Sequence, residues 1–175
     1  IKKPEVNAIE RKAPARKIQY SPPIKKLVDE HVLIKKWLEL VPAVLEKIDI
    51  ESEEYRQLIL DGIDFIRSYA DKFHHAKEED ILFEYTDKNL DIIKTIFHDH
   101  EAARSHVKAI LEAIKSKDKE SIAFHLGAYK GLLTEHIKKE DEILYPWIDR
   151  NLSTRQVGEL FAKFDAAEAR LDKGV

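Results

Sequence analysis

The chain of 175 residues contains neither cysteine nor methionine. Without cysteine it cannot form disulfides, zinc–thiolate sites or iron–sulfur clusters held by its own side chains. These kinds of site are therefore excluded, although the absence of cysteine does not fix the redox compartment.

Glycine and proline are scarce, with five and six copies, so long uninterrupted elements are expected and many tight turns are not. No apolar run approaches the roughly 20 residues of a membrane-spanning helix, and no signal-peptide pattern is visible. The net charge of −3 is small and includes no basic excess that would suit nucleic acid. We therefore expect a cytoplasmic protein that binds neither membranes nor nucleic acid.

Two regions are expected along the chain. Residues 1–21 are predicted to form an N-terminal arm on the surface, because prolines, lysines and arginines concentrate at this end. A basic tail for an acidic partner is the alternative, but Glu5 and Glu10 interrupt it. Residues 22–175 form one domain, and 43% apolar with 36% charged residues is typical of a helical protein with a sizeable core.

Apolar residues recur with the 3.6-residue period of amphipathic helices along four long segments. Their predicted starts are near Ser21, Ser52, Asp87 and Lys119. A shorter fifth helix is predicted from Ser153 to about Leu171. No segment has the period of a strand, so the sequence predicts an all-α fold: an antiparallel up-down four-helix bundle with the N-terminal arm and a short C-terminal fifth helix.

The sequence also predicts a kink, two helix ends and the orientation of three side chains. Pro42 is expected to kink the first helix or end its first segment. The second helix is predicted to continue to about Tyr85 and the fourth to about Trp147, both as regular α-helices. In the fourth helix Phe124, Ile143 and Trp147 are expected to face inward.

The segments HHAKEEDILFEY and HIKKEDEILYPW share a pattern. Each begins with His-x-x-x-Glu, and the pairs are His74 with Glu78 and His136 with Glu140. A spacing of four residues on an α-helix gives about 40° of rotation and roughly 6 Å of rise, so both side chains of a pair lie on one face. An imidazole beside a carboxylate, twice, suggests a shared metal site.

His31 and His100 lie within the apolar stripes of the other two helices. Taken alone, a histidine in such a stripe is more often a hydrogen-bonded core residue than a ligand. The inward glutamates are harder to explain, because an unpaired buried carboxylate costs several kcal/mol or stays protonated. A bound cation would make the whole set favourable. We therefore predict a metal site formed by six side chains: His31, His74, Glu78, His100, His136 and Glu140.

The donor types limit the metal. Four imidazoles and two carboxylates exceed the needs of a tetrahedral zinc site. They suit two metal ions, each held by two histidines and bridged by both carboxylates, with room at a six-coordinate ion for a solvent bridge and one further ligand. The set favours iron, with manganese next, whereas zinc would bind without redox chemistry.

Four segments resemble the hemerythrin-like, or HHE cation-binding, family: DEHVLIKKWLELV around His31, HHAKEEDILF, HDHEAAR around His100, and HIKKEDEILYP. The resemblance covers about residues 22–170. It implies an antiparallel four-helix bundle with a non-heme di-iron centre, oxo- or hydroxo-bridged. By motif position, the implied ligands are His31, His74, Glu78, His100, His136 and Glu140.

The sequence departs from the oxygen-carrying hemerythrins at two points. They have HxxxH on the third helix, where this chain has Arg104 in the second position, and they end with HxxxxD, where this chain has HxxxE. The resulting ligand set resembles that of the bacterial proteins for repair of iron centres. Those proteins also carry a cysteine-bearing N-terminal domain, and this sequence contains no cysteine. Simple reversible oxygen carriage is therefore not favoured.

Two further residues near the predicted site are left open. His75 adjoins His74 and is rotated by about 100° from it, so it is either an additional ligand, a residue that supports the ligands, or a surface residue. Arg104 lies on the face of His100, one turn later. It either pairs with a carboxylate of the site or a bound anion, or extends to solvent.

The remaining histidines and two tyrosines receive less specific predictions. His125 is expected to be structural and to face inward at the far end of the bundle, whereas His98 and His106 are expected to be exposed. Tyr85 and Tyr129 are expected to fill core rather than donate hydrogen bonds to the site.

Three functions are compatible with these residues. The leading one is a di-iron protein that binds or reacts with O₂, NO or peroxide, with apolar walls from residues such as Ile63, Ile66, Leu133 and Ile143. The second is storage or delivery of iron for the repair of iron centres. The third, a metal-free helical interaction module, leaves the two inward glutamates unexplained. No general acid or substrate pocket is identifiable, so the sequence does not decide whether the protein is an enzyme.

Overall fold

The computed structural model describes residues 18–171, and within this range all regular structure is helical, with no strand. Residues 18–21 precede the first helix. The predicted arm therefore lies almost entirely outside the described residues, as do the last four residues of the predicted domain. No helix in the described range is long and apolar enough to cross a membrane.

Helix α1 spans Pro22–Glu46 and begins where Ser21 is extended, with φ −62° and ψ 156°. Proline is tolerated at the first helical positions, where the N–H has no partner within the helix. Pro42 lies inside α1 and does not end it, since helix continues through the next four residues.

Helix α2 spans Glu53–Phe65, close to the prediction. The Ser52 hydroxyl caps it by accepting a 3.2 Å hydrogen bond from the backbone N–H of Tyr55. The α-helix then changes to a π-helical segment, Ile66–His75, before α-helix resumes. The prediction of a regular α-helix throughout this region is therefore wrong.

Beyond this segment, α3 covers Ala76–Asp80, and a 3₁₀ helix covers Leu82–Tyr85. Helix α4 spans Asp91–Ser116 and begins later than predicted. The delay arises because Asp87 starts a turn: its carboxylate accepts a 2.9 Å hydrogen bond from the N–H of Asn89.

Lys117 ends α4 in a left-handed conformation with φ 57°, and the Asp118 side chain then caps α5 by accepting from the N–H of Ser121 at 3.0 Å. Helix α5 spans Lys119–Lys139. The remaining elements are a second π-helical segment, Glu140–Leu144, then α6, Tyr145–Asn151, and α7, Thr154–Leu171. The fifth predicted helix corresponds to α7.

The long helices contact one another in a ring: α1 with α5, α5 with α4, α4 with α2, and the first π-helical segment with α1. Helix α7 packs on α1. Two apolar clusters fill the interior. On α1, Ile24 and Leu27 belong to one cluster, Ile34 and Leu38 to the other, and His31 lies between them.

On the other long helices, too, an ionisable residue lies between the two clusters. The residues between the two clusters are His74, between Ala70 and Leu82; His100, between Ile96 and Ala103; and Glu140, between Ile137 and Leu144. The ionisable residues thus form one layer across the interior.

Three residues predicted to face inward are exposed: Phe124 by 68%, Ile143 by 56% and Trp147 by 37%. On α5 the buried stripe contains Ile122 and Leu126, and Phe124 lies two residues from each, on the opposite side. The wider turn of the second π-helical segment rotates Ile143 outward. The predicted phase is therefore wrong at the end of this helix.

Candidate metal centre

All six predicted donor residues lie in the ionisable layer, and none is more than 1% exposed. Their imidazoles form two pairs. His31 Nε2 lies 2.9 Å from His74 Nε2, and His100 Nε2 lies 3.2 Å from His136 Nε2. Each pair joins residues on two different helices, 43 and 36 positions apart in sequence.

Glu140 reaches one histidine of each pair. Its Oε2 lies 3.2 Å from His31 Nε2, and its Oε1 lies 3.2 Å from His136 Nε2. Glu78 does the same from the other side, with Oε2 at 3.8 Å from His74 Nε2 and 3.5 Å from His100 Nε2. Each carboxylate is thus placed to join the two imidazole pairs.

His75 belongs to the same layer, which the sequence left open. It is 2% exposed, and its ring stacks on His100 with centroids 3.9 Å apart. Donor atoms within 4.8 Å of one another form two groups: His75, Glu78, His100 and His136 in one, and His31, His74 and Glu140 in the other. The first π-helical segment ends at His75 and presents both neighbouring histidines to the interior.

Each paired imidazole has a carboxylate at its outer nitrogen, Nδ1. The distances are 2.8 Å for His31–Asp141, 2.8 Å for His74–Glu30, 2.6 Å for His100–Glu79 and 3.3 Å for His136–Asp99. When Nδ1–H donates to a carboxylate, the proton is fixed there and the lone pair of Nε2 faces inward. This is the tautomer that a metal ligand requires.

Every one of these outer carboxylates also contacts a cationic side chain. The pairs are Asp141–Lys35, Glu30–Lys77, Glu79–Arg104 and Asp99–Lys139. A neighbouring cation favours the ionised carboxylate, which then accepts a hydrogen bond from the imidazole N–H without removing its proton. Burial raises the pKa of Glu79, Asp99 and Asp141, but the facing imidazoles and cations outweigh it and lower the pKa of each. Burial dominates at Glu30, whose pKa is raised.

The outer carboxylates were not predicted. A sequence signal exists, because each adjoins a predicted donor: Glu30–His31, Glu78–Glu79, Asp99–His100 and Glu140–Asp141. Each of these acids nevertheless contacts a histidine from a different helix. The sequence does not show which helices are neighbours, so the signal alone could not assign the partners.

Tyr145 is a further residue that the sequence did not single out. Its hydroxyl donates a 2.7 Å hydrogen bond to Glu78 Oε1, and its ring stacks on His31 with centroids 5.5 Å apart. The backbone N–H of Tyr145 bonds to the carbonyl of Glu140, five residues earlier. This π-helical bond places Tyr145 on the donor face, where regular α-helix would have favoured Ile143 or Leu144.

Arg104 donates to Asp71 Oδ1 at 2.9 Å, to Glu79 Oε1 at 2.7 Å and to Glu101 Oε1 at 2.9 Å. It therefore contacts neither of the two inner glutamates. Through Glu79 it supports His100, and its side chain remains one-third exposed.

The other histidines lie outside the layer. His98 is exposed, as predicted. His106 is half-buried rather than exposed, because its Nδ1 lies 3.0 Å from Nδ1 of His125 on the neighbouring helix. His125 is likewise half-buried. Tyr129 packs in an apolar cluster and Tyr85 packs against one, as predicted.

Several donor atoms of the layer are buried without a hydrogen bond to any residue in the range 18–171. They are Nδ1 and Nε2 of His75, Oε2 of Glu78, and both carboxylate oxygens of Glu140. Leaving such atoms unsatisfied is costly, and a cation would satisfy them. The chemistry of the set, imidazole nitrogens and carboxylate oxygens, fits a transition-metal ion.

The pKa values of the glutamates and histidines in the metal-free layer also fit a cation site. Burial and the neighbouring Glu140 raise the pKa of Glu78 well above its usual value. Burial also works to raise the pKa of Glu140, but the facing His136 and His31 outweigh it and hold that pKa well below its usual value. Burial lowers the pKa of His136, but Glu140 and Asp99 outweigh it and raise the pKa to about 9. Without a cation, these shifts favour a proton on Glu78 and on His136.

Comparison with protein families places this geometry in context. The family model described as the Hemerythrin HHE cation binding domain matches residues 22–148, a range that includes all seven buried donor residues. Searches of curated proteins and of solved structures gave no significant match.

Proposed function

The chain belongs to the hemerythrin HHE cation-binding domain family, and from this we propose that it is a non-heme di-iron protein that binds or reacts with a small molecule such as O₂, NO or peroxide. One observation carries the proposal: two imidazole pairs are joined by two glutamates, each of which reaches a histidine of both pairs. The ring of helix contacts supports an antiparallel up-down four-helix bundle as the scaffold.

In this proposal His31 and His74 hold one iron, and His100 with His136 holds the other. His75 joins the second iron, because it shares a donor group with that pair and its ring nitrogens lack other partners in the described chain. Glu78 and Glu140, each of which reaches both imidazole pairs, would supply carboxylate oxygens to both ions. The first iron then has one protein ligand fewer than the second, which leaves room for solvent and a small exogenous ligand.

Iron suits the donor set better than the alternatives. Seven imidazole and carboxylate side chains around two ions suit iron or manganese, whereas zinc favours closed tetrahedral sites with four ligands per ion. When bound, the iron pair supplies the redox change and the position for the small molecule. Iron is therefore the proposed cofactor, with manganese and zinc as the less favoured ions.

The surrounding residues hold the centre in place. The outer carboxylates fix the proton of each paired imidazole at Nδ1. The Tyr145 hydroxyl donates a hydrogen bond to Glu78 Oε1. Apolar residues of the adjoining cluster, among them Ile63, Ile66 and Leu133, exclude water. Ile143 has no part in this wall, because it is exposed.

Burial of the whole donor set argues for metal that is retained. Storage or delivery of iron requires release, so the arrangement supports it less well. A metal-free interaction module would give no purpose to two buried glutamates that each reach a histidine of both pairs. These considerations favour small-molecule chemistry at a fixed iron pair.

Absorption spectroscopy of the iron-loaded chain tests this function. Near-ultraviolet bands of an oxo-bridged ferric pair should disappear on reduction, and the reduced form should give new bands with NO or O₂. A weak chelator should remove iron slowly. A reduced, iron-loaded protein that shows no spectral response to either gas or to peroxide would refute small-molecule chemistry, and rapid loss to the chelator would favour delivery.

A further inference from the structure

A cavity of about 280 Å³ lies between the first π-helical segment and α4. Its inner wall includes His75, and its apolar wall includes Ile66, Val107 and Tyr129. The volume is near the lower end of the range for ligand sites, which begins at about 300 Å³. A molecule of a few heavy atoms fits inside.

The cavity adjoins the donor layer directly. His75 is 2% exposed, and neither of its ring nitrogens has a hydrogen-bond partner within residues 18–171. Its donor group includes Glu78, His100 and His136. A molecule in the cavity therefore contacts a side chain of the group that would hold the second iron.

Three cationic side chains line this cavity. Arg67, Arg104 and Lys108 line it, against one lining carboxylate, Asp71. Arg67 and Lys108 are exposed, whereas Arg104 is held by Asp71 and by Glu79 and Glu101 behind it. The two exposed cations are thus the charges available to attract an approaching ligand. Clefts lined by one sign of charge raise the association rate of ligands with the opposite sign.

We propose that this cavity is the route by which a small anion, such as superoxide, hydroperoxide or nitrite, reaches the metal pair from the His75 side. Arg67 and Lys108 attract the anion at the entrance, and the apolar wall admits it only without most of its hydration. The proposal rests on the proposed di-iron function, because the anion's destination is the pair of irons that the donor layer would hold.

A second cavity provides a matched control. It lies between α1 and α5, has a volume of about 530 Å³, and is also lined by lysines, among them Lys130 and Lys138. Of the residues that line it, Asp141 contacts His31 from outside, and none is one of the seven donor residues. The second cavity therefore has positive charge at its surface but no donor residue in its wall.

The test uses azide as the anionic probe and the iron-loaded chain. Stopped-flow absorbance gives the association rate constant for wild type, for the variant R67Q/K108Q and for the control K130Q/K138Q. Both double variants lose the same net charge, so only the position of the charge differs. We expect R67Q/K108Q to associate roughly three- to tenfold more slowly at low salt, with the control near wild type.

Salt and a neutral ligand sharpen the comparison. The Debye length falls from about 30 Å at 0.01 M salt to about 8 Å at 0.15 M, so added salt should slow azide binding to wild type more than to R67Q/K108Q. Association of NO, which is uncharged, should be the same in all three proteins.

Two results would overturn the proposal: equal azide rates in wild type and R67Q/K108Q, or an equal slowing in K130Q/K138Q. The metal content of each protein is measured first. A wild-type chain that binds no iron refutes the proposed function itself, whereas iron-loaded proteins with equal azide rates refute only the route.

Discussion

Tyr145 offers a sensitive test of how the metal centre is held. Its hydroxyl donates a 2.7 Å hydrogen bond to Glu78 Oε1, and its ring is fully buried. A hydrogen bond to a charged group contributes about 1.5–3 kcal/mol, against about 0.5–1.5 kcal/mol between neutral groups. Burial and the neighbouring Glu140 raise the pKa of Glu78 well above its usual value without metal, whereas a bound cation would favour its ionised form. Tyr145→Phe should therefore destabilise the loaded chain more than the metal-free chain.

Urea unfolding of both forms, followed by far-ultraviolet circular dichroism, measures this difference. We expect a loss of about 1.5–3 kcal/mol with iron and about 1 kcal/mol without it. With a urea slope of about 1–3 kcal/mol/M, the midpoint of the loaded variant should fall by roughly 1 M. Tyr129→Phe is the matched control, because Tyr129 is equally buried but packs in an apolar cluster.

Two outcomes would refute this reasoning about Tyr145. One is an equal loss in the loaded and metal-free forms, which would show that the charge on Glu78 does not depend on metal. The other is a comparable loss in Tyr129→Phe, which would show that the hydroxyl matters only for packing.

Two further variants test the surroundings of the centre. Glu30→Gln removes the carboxylate that orients a paired imidazole, and it should lower iron affinity about 10- to 100-fold in a chelator competition, with the exposed Glu84→Gln unchanged. Burial raises the pKa of Asp71, but the imidazole of His75, 3.7 Å away, and the hydrogen bond from Arg104 outweigh it and lower that pKa from 3.8 to about 2. Because the folded pKa is below the unfolded one, the stabilisation is complete well above pH 4 and is lost as the pH falls towards 2. At pH 7 the free energy of unfolding of Asp71→Asn should therefore be about 1–2 kcal/mol lower than that of the wild type, allowing for the partial exposure of Asp71. This gap between the two free energies should become smaller below pH 4. A gap that is constant from pH 7 to pH 3 would contradict this assignment.

The helices and the six predicted donors follow from local patterns. Ser52 caps α2 through its own side chain, and the apolar period locates the long helices because burial of one face is what stabilises them. His31 and His100 could be identified because each interrupts an apolar stripe. Such features depend only on residues a few positions apart, which the sequence contains.

The missed features depend on contacts between helices. The π-helical segments change the phase of the buried face, so His75 and Tyr145 face inward and Ile143 faces out. A period of 3.6 residues cannot reveal this. The outer carboxylates contact histidines on other helices, and only the packing decides those partners: Glu30 contacts His74 rather than its neighbour in sequence.

Iron stoichiometry tests whether Glu78 and Glu140 together hold two irons. The chain and its Glu78→Ala variant are purified without oxygen, loaded with ferrous iron, freed of excess metal and analysed for iron per chain, with exposed Glu84→Ala as control. We expect about two irons in wild type and in Glu84→Ala, and one or none in Glu78→Ala. A stable wild-type chain without metal, or two irons retained in Glu78→Ala, would contradict this expectation.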